Sequence, residues 1–203
     1  MTPDPLPSAL ASLLGRHSVG PKHLREPAPD DSALELATRA ALRAPDHAKL
    51  VPFRFAVVRA AARERLADLF EDYGRRRGKS AADVAAERDR ATRPPVVVAV
   101  IVHIDPAHPD VPAHEQWACA GGAVANFLNA LHALGYAGKM LSGARAADPA
   151  ITAAFCGPGE ALLGWLALGT PSAPPKARGT ADAGSILARW PAAVGPGRGG
   201  DCG

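Results

Sequence analysis

The chain has 203 residues, of which 47% are hydrophobic and 21% charged, so it can bury a core and has the composition of a folded protein rather than a disordered or fibrous one. Its formal net charge is only +3, with basic residues scattered among acidic ones, which argues against a nucleic-acid surface and favours an anionic small-molecule ligand. The three cysteines, Cys119, Cys156 and Cys202, are odd in number, widely separated and form no C-x-x-C pair. This argues against a disulfide framework or a cysteine zinc site and favours a reducing compartment.

The first third of the chain predicts two helices and a strand. A short helix is expected over residues 8–14, and a second over residues 31–42, where Asp30, Asp31 and Ser32 supply N-cap groups. Pro45 ends the second helix, because the residue before a proline is pushed out of the α region. The alternation over residues 53–58 predicts a strand.

Two charged helices are predicted next, over residues 61–73 and 80–90, separated by a basic turn at residues 75–78. The almost continuous β-branched run over residues 96–104 is typical of a strand that is buried on both faces. We therefore expect this strand at the centre of a sheet.

A long helix is predicted over residues 114–134. It has one apolar face, on which the residues at spacings of three and four are Trp117, Gly121, Val124, Leu128 and Leu131. Gly121 and Gly122 lie in its interior, where each glycine costs about 1 kcal/mol relative to alanine. We expect another backbone to approach closely there, such as the same helix of a symmetry mate.

The last elements are short. A strand is predicted over residues 137–141, a small helix after Asp148 and a final strand over residues 161–168. Beyond Thr170 the chain is rich in Pro, Ala, Gly and Arg without periodicity. We predict one domain over residues 1–179 and a C-terminal arm or disordered tail over residues 180–203.

Three polar clusters between these elements are the candidate functional residues. In the first, Arg16 and Ser18 flank His17 and offer a guanidinium, a hydroxyl and backbone N–H groups to a terminal phosphate. The alternative is an ordinary surface loop. In the second, Arg43 and His47 flank Pro45; Arg43 could equally interact with its helix C-terminus, and His47 with backbone groups.

The third cluster is Ser142-Gly143, which follows the short strand over residues 137–141. A glycine lets the main chain approach a flat ring without an intervening Cβ. Taken alone, Ser-Gly is merely a turn.

In this order, from Arg16 to Pro171, the clusters and the elements between them resemble the FMN-dependent nitroreductase family, in particular its small single-domain members named as NAD(P)H nitroreductases. The resemblance implies an α+β fold, with a mixed central sheet flanked by helices. It also implies an intertwined homodimer with FMN at the subunit interface.

The resemblance implies a set of cofactor-binding residues and a reaction. The residues are Arg16, His17, Ser18, Arg43, His47, Met140, Leu141, Ser142 and Gly143, with a weaker assignment for Lys176 and Arg178. The implied reaction is ping-pong: hydride passes from NADH or NADPH through flavin N5 to a small electrophile such as a nitroaromatic or a quinone. No catalytic side chain is expected, because the cofactor carries the chemistry.

The sequence leaves two other functions open. Relatives often carry bulky polar or aromatic residues where Met140 and Leu141 stand, which permits a non-catalytic flavin-binding store or sensor protein. A metal hydrolase could use the dispersed imidazole and carboxylate groups of His47, His103, His108, His114, Asp46, Asp105 and Glu115. These residues have no ligand spacing such as H-E-x-x-H, so we expect no metal site.

The sequence also predicts where the protein resides. Its N-terminus has no basic flank followed by an apolar run. The most apolar stretches are short or contain Glu, Gln, Asn or His, unlike a membrane span. We therefore expect a cytoplasmic protein that contacts neither membrane nor nucleic acid.

Overall fold

The computed structural model describes residues 7–174 and 181–190. The helices of this part are α1 Ser8–Gly15, α2 Asp31–Ala41, α3 Ala61–Arg76, α4 Ala81–Thr92, α5 Ala113–Ala133 and α6 Pro149–Phe155. The strands are β1 Leu24–Arg25, β2 Phe53–Val58, β3 Val96–His103, β4 Ala137–Leu141 and β5 Glu160–Pro171. Every predicted helix and strand is confirmed. Strand β1, which is too short to show a periodicity, was not predicted.

The strands form one sheet in the order β1-β5-β3-β2, and β4 also pairs with β5. All of these pairings are antiparallel. The α+β class with flanking helices is therefore confirmed, but the sheet of the described residues is antiparallel rather than mixed. For β2 and β3, the reason is the connection between them. Helices α3 and α4 return the chain to the end of the sheet at which β2 ends, so β3 runs in the opposite direction.

Helices cover both faces of the sheet. The side chains of β3 alternate between two cores: Val96, Val98, Val100 and Val102 pack towards α2 and α5, and Val97, Ala99 and Ile101 towards α3 and α6. This strand lies between β2 and β5 and is buried along seven of its eight residues. The predicted central strand, buried on both faces, is thus confirmed.

Helix α5 packs on the sheet through one side and also carries apolar residues on its exposed side. The side that packs on the sheet is formed by Cys119, Ala120, Ala123, Phe127 and Leu131. Of the residues predicted for the apolar face, Leu131 is buried on this side, and Val124 and Leu128 pack against the same core while partly exposed. Trp117 and Gly121 are exposed.

The two glycines of α5 differ in their surroundings. A Cβ on Gly122 would lie 3.3 Å from the Cβ of Ala44, so the predicted close approach is made by the chain that follows α2. A Cβ on Gly121 would meet nothing within 4 Å among the described residues. No described helix, α5 included, is both long enough and apolar enough to cross a membrane.

A bulge in β5 shapes the end of β4. The register of β3 on β5 shifts between Val100 and Ile101, which leaves Leu163 without a partner on β3. The next residue, Gly164, has φ +147°, and its Cα lies against the main chain of Leu141. A bulge of this kind re-aims groups on the strand. The carbonyl of Leu163 accepts a hydrogen bond from the hydroxyl of Ser142 (2.8 Å), just beyond the end of β4.

Candidate functional site

The segment after α1 lies along strand β4. The N–H of Val19 donates to the carbonyl of Gly138 (3.1 Å), and Val19 is buried beside Leu24 and Ala167. These contacts place Arg16 and His17 against the last turn of α5. The result is a small pocket at the start of β4, lined by Arg16, His17, Leu128, His132, Ala137 and Gly138.

This small pocket is lined by positively charged and imidazole side chains. His132 lies in it, and its pKa is lowered first by burial and then by the positive charges of Arg16 and His17. Arg16 forms no ion pair with any carboxylate of residues 7–174 or 181–190. A guanidinium and two imidazoles without a compensating carboxylate fit an anion such as a phosphate. Ser18, the third predicted residue, is exposed beside them.

The Ser142-Gly143 turn lies at the other end of β4. Gly143 has φ +109°, a conformation that side chains with a Cβ rarely adopt, and a Cβ there would meet nothing within 4 Å among the described residues. The hydroxyl of Ser142 is held by Leu163. Neither residue's N–H donates to any group in the described part of the chain. Within the described chain, the main-chain N–H groups of this turn are therefore hydrogen-bond donors without an acceptor.

An open cleft of about 520 Å³ begins at this turn. Its walls are mostly small or aliphatic residues of β5 and of the segment 146–147, and the indole of Trp117 closes one side. Trp117 is 45% exposed. A cleft of this size with apolar walls and a few polar groups is typical of a site for a flat organic molecule.

The pocket and the cleft are joined by one strand. From Gly138 to Ser142 the chain advances four residues, or about 13 Å at the rise of an extended strand. This distance suits a ligand with a phosphate at one end and a flat ring at the other. Met140 and Leu141 lie between them on opposite faces of β4, Met140 against the α5 core and Leu141 near Val19 and Leu24.

His47 lies on a conformationally unusual loop and is paired with an acid. Its Nδ1 is 2.8 Å from Oε2 of Glu115 in the first turn of α5, two residues before Trp117. The loop contains three non-glycine residues with positive φ: Ala48, Lys49 and Val51. The Asp46 carboxylate supports it by accepting from the N–H groups of Leu50 and Val51. Backbone conformations of this kind are concentrated at functional sites.

The structure does not bring Arg43 to the pocket or to the cleft. Arg43 is exposed at the end of α2, in a shallow depression shared with Leu36, Arg39 and Leu42. Two of its neighbours there, Leu36 and Leu42, are large aliphatic side chains that are about half exposed. Lys176 and Arg178 lie outside the described residues.

Glu160, on the cleft wall, is held as a carboxylate. Hydrogen bonds from Arg54 (2.6 and 2.5 Å) and then from the N–H of Gly157 lower its pKa from 4.5 to about 2. A carboxyl whose pKa is lower in the folded state adds stability above its unfolded pKa, and this stability is lost as the pH falls. The window here is pH 4.5 to about 2.

We therefore expect Glu160→Gln to lower the melting temperature modestly at pH 7, and the difference from wild type to shrink between pH 5 and pH 3. Thermal denaturation followed by circular dichroism at several pH values measures this. Asp72→Asn, in an exposed pair with Arg75, is the control and should show little effect at any pH. A difference that stays constant with pH would contradict the assignment.

The histidines and acids that could have formed a metal site are dispersed. Within residues 7–174 and 181–190 no three His, Cys, Asp or Glu side chains are placed to hold a metal ion. His108 instead accepts hydrogen bonds from the N–H groups of Asp110 and Val111 and so orders its own loop.

Two side chains of the site were not recognised as such from the sequence. His132 completes the small pocket at the start of β4, and Trp117 lines the cleft. Both lie on α5, where periodicity placed Trp117 on an apolar face and gave no reason to select His132. Only the packing of α1 and β4 against this helix identifies them.

The chain is similar to one family of known proteins. The model of the family described as "Nitroreductase family" matches residues 13–170. The Escherichia coli (strain K12) protein named "Putative NAD(P)H nitroreductase YdjA" is 34% identical over 164 residues, which are 80% of this chain and 88% of that protein.

Solved structures share the fold. A nitroreductase-like family protein from Bacillus cereus superposes with a TM-score of 0.75 at 17% identity, covering 94% of this chain and 100% of that one. A Desulfovibrio desulfuricans protein, described as a "putative nitroreductase in complex with fmn", has a TM-score of 0.69 at 22% identity, covering 92% and 99%. At these identities the likeness establishes the fold.

Proposed function

This chain belongs to the nitroreductase family, and from that premise we propose that it is an FMN-dependent oxidoreductase that uses NADH or NADPH to reduce a small electrophile such as a nitroaromatic or a quinone. One observation carries the proposal: strand β4 joins a group of cationic and imidazole side chains, Arg16, His17 and His132, to a turn with unpaired main-chain N–H groups that opens on a largely apolar cleft. The redox chemistry, when FMN is bound, is that of its ring, which exchanges hydride with a nicotinamide and an acceptor.

The residues at the start of β4 suit the phosphate of FMN. Arg16 offers a forked guanidinium without a carboxylate partner in the described chain, and His17 and His132 add donors beside it. The exposed hydroxyl of Ser18 is adjacent. We assign the phosphate to this group of residues.

The Ser142-Gly143 turn suits the ring. The main chain at Gly143 can approach a flat ring without a Cβ, and unpaired N–H groups there can stabilise negative charge on it. The Ser142 hydroxyl donates to Leu163, so its role is to fix the turn rather than to bind the cofactor. The contributions of Arg43, His47, Met140, Leu141, Lys176 and Arg178 remain predictions.

We also propose that two copies of the chain assemble around the cofactor. The outward side of α5 exposes Trp117 and Gly121, and a Cβ on Gly121 would meet nothing within 4 Å among the described residues. Large apolar side chains are also exposed on residues 181–190, among them Leu187 and Trp190 at 84% and 89%. In such a dimer, Arg43 of one subunit would be able to contact the cofactor held by the other, because each subunit contributes residues to a site at the interface.

The absorption spectrum of the freshly purified protein tests this function. A flavin spectrum is expected, with FMN released on heating at one molecule per chain, and sedimentation should give the mass of a dimer. Steady-state oxidation of NADH or NADPH with menadione or a nitroaromatic should then be measurable.

The possible outcomes separate the alternatives. A yellow protein without turnover would support the flavin-binding store or sensor. A colourless protein that does not take up added FMN would contradict the proposal.

A further inference from the structure

A buried carboxylate lies next to the candidate site but is not part of it. Glu87 on α4 is 1% exposed and is surrounded by three cations: Lys79, Arg90 and Arg145. Burial raises its pKa, but hydrogen bonds from Lys79 and Arg90 and the charge of Arg145 outweigh it, and the pKa is lowered. Glu87 is therefore a fixed negative charge inside a group of positive ones.

Of the three cations, Arg145 connects this carboxylate to the candidate site. Its Nη1 is 2.6 Å from Oε2 of Glu87, and its guanidinium carbon lies 5.2 Å from the centre of the Phe70 ring. Arg145 belongs to the short 3-10 helix Ala144–Ala147, which follows Gly143 directly. The N–H of Ala146 in this helix donates to the carbonyl of Gly143 (2.9 Å).

We propose that Glu87, acting through Arg145, positions the Ser142-Gly143 turn for the flavin ring; this inference rests on the proposed function. A buried ion pair adds little net stability compared with well-packed apolar residues, so its main physical effect is to fix geometry. Here it holds one end of the turn against α3 and α4, while the Ser142 hydroxyl holds the other end on β5.

Removing the carboxylate should move the turn. Arg145 makes no other ion pair in the described structure, and its Nε has no hydrogen-bond partner there. Without Glu87, three cations would face one another around a partly buried site. We expect Arg145 to leave this position, and the segment that carries Gly143 to shift with it.

The same helix offers a matched control. Arg88 also has three partners of opposite charge, Glu64, Asp68 and Glu71, and it also joins α3 to α4. None of these residues contacts the turn or lines the cleft. Loss of this cluster should affect the packing of the two helices and leave the cofactor site unchanged.

The experiment measures FMN dissociation constants and the visible spectrum of bound flavin for wild type, Glu87→Gln, Arg145→Met, the double variant and Arg88→Met. We expect Glu87→Gln and Arg145→Met each to weaken FMN binding about tenfold and to alter the flavin spectrum. The double variant should be no weaker than either single variant, because both act through one contact. Arg88→Met should stay within about twofold of wild type while its melting temperature falls.

The inference is overturned if Glu87→Gln binds FMN like wild type with the same spectrum, or if Arg88→Met weakens FMN binding equally. If Glu87→Gln does not fold, Arg145→Lys, which keeps the charge but shortens the reach to Glu87, is used in its place and judged by the same measurements. Failure of the wild-type protein to bind FMN would instead contradict the proposed function itself.

Discussion

Replacing Arg16 and Ser18 together by alanine is expected to weaken FMN binding by about 100-fold or more, because charge-assisted hydrogen bonds contribute roughly 1.5–3 kcal/mol each. Arg16 is the one guanidinium in the pocket at the start of β4, where His17 and His132 are its polar companions. The fold should survive, since both side chains lie on the surface of the segment and Val19 provides its buried anchor. Fluorescence titration of the apoprotein with FMN measures the change.

A charge-matched control separates local from general electrostatics. Arg65→Ala removes one exposed guanidinium from α3 and should leave FMN affinity within about twofold of wild type. Riboflavin, which lacks the phosphate, should bind the double variant as well as it binds wild type. Unchanged FMN affinity in the double variant would contradict the assignment of the phosphate to this pocket, and with it the proposed orientation of the cofactor.

Replacing Gly164 by alanine should produce the largest loss of stability. A Cβ at this position would lie 2.2 Å from the carbonyl oxygen of Leu141, and the residue has φ +147°. Both the clash and the backbone strain would have to be relieved by separating β4 from β5. We expect a loss of about 3–5 kcal/mol in the free energy of unfolding. Urea denaturation measures it.

Gly20→Ala is the matched control for this prediction. Gly20 has φ −68°, and a Cβ there would meet no described atom within 4 Å, so the change should be neutral or slightly stabilising. If Gly164→Ala is as stable as Gly20→Ala, the close approach of β4 to β5 is not as tight as the structure shows. A folded Gly164→Ala protein should also bind FMN weakly, since Ser142 follows the displaced residue.

The secondary structure of this protein is largely a property of its local sequence. The β-branched run of β3, the acidic N-cap of α2 and the arrest of that helix near Pro45 depend on residues close together in the chain, and the structure confirms each of them. The α+β class and the two separate clusters at Arg16 and at Ser142 could be recognised for the same reason. The structure places these clusters at the two ends of β4.

Other features depend on contacts between residues far apart in the sequence. The sequence did not predict that His132 completes the phosphate pocket, that Glu115 pairs with His47, or that Glu87 reaches Arg145. The pattern of α5 placed Val124, Leu128 and Leu131 correctly on its packed side, but it did not show that Trp117 and Gly121 are exposed. Periodicity detects that residues share a face, whereas the partner of that face is set by the packing of other elements. The sequence alone thus determined the elements and the chemistry available, and only the tertiary structure decided which groups meet, because long-range packing leaves no local signal.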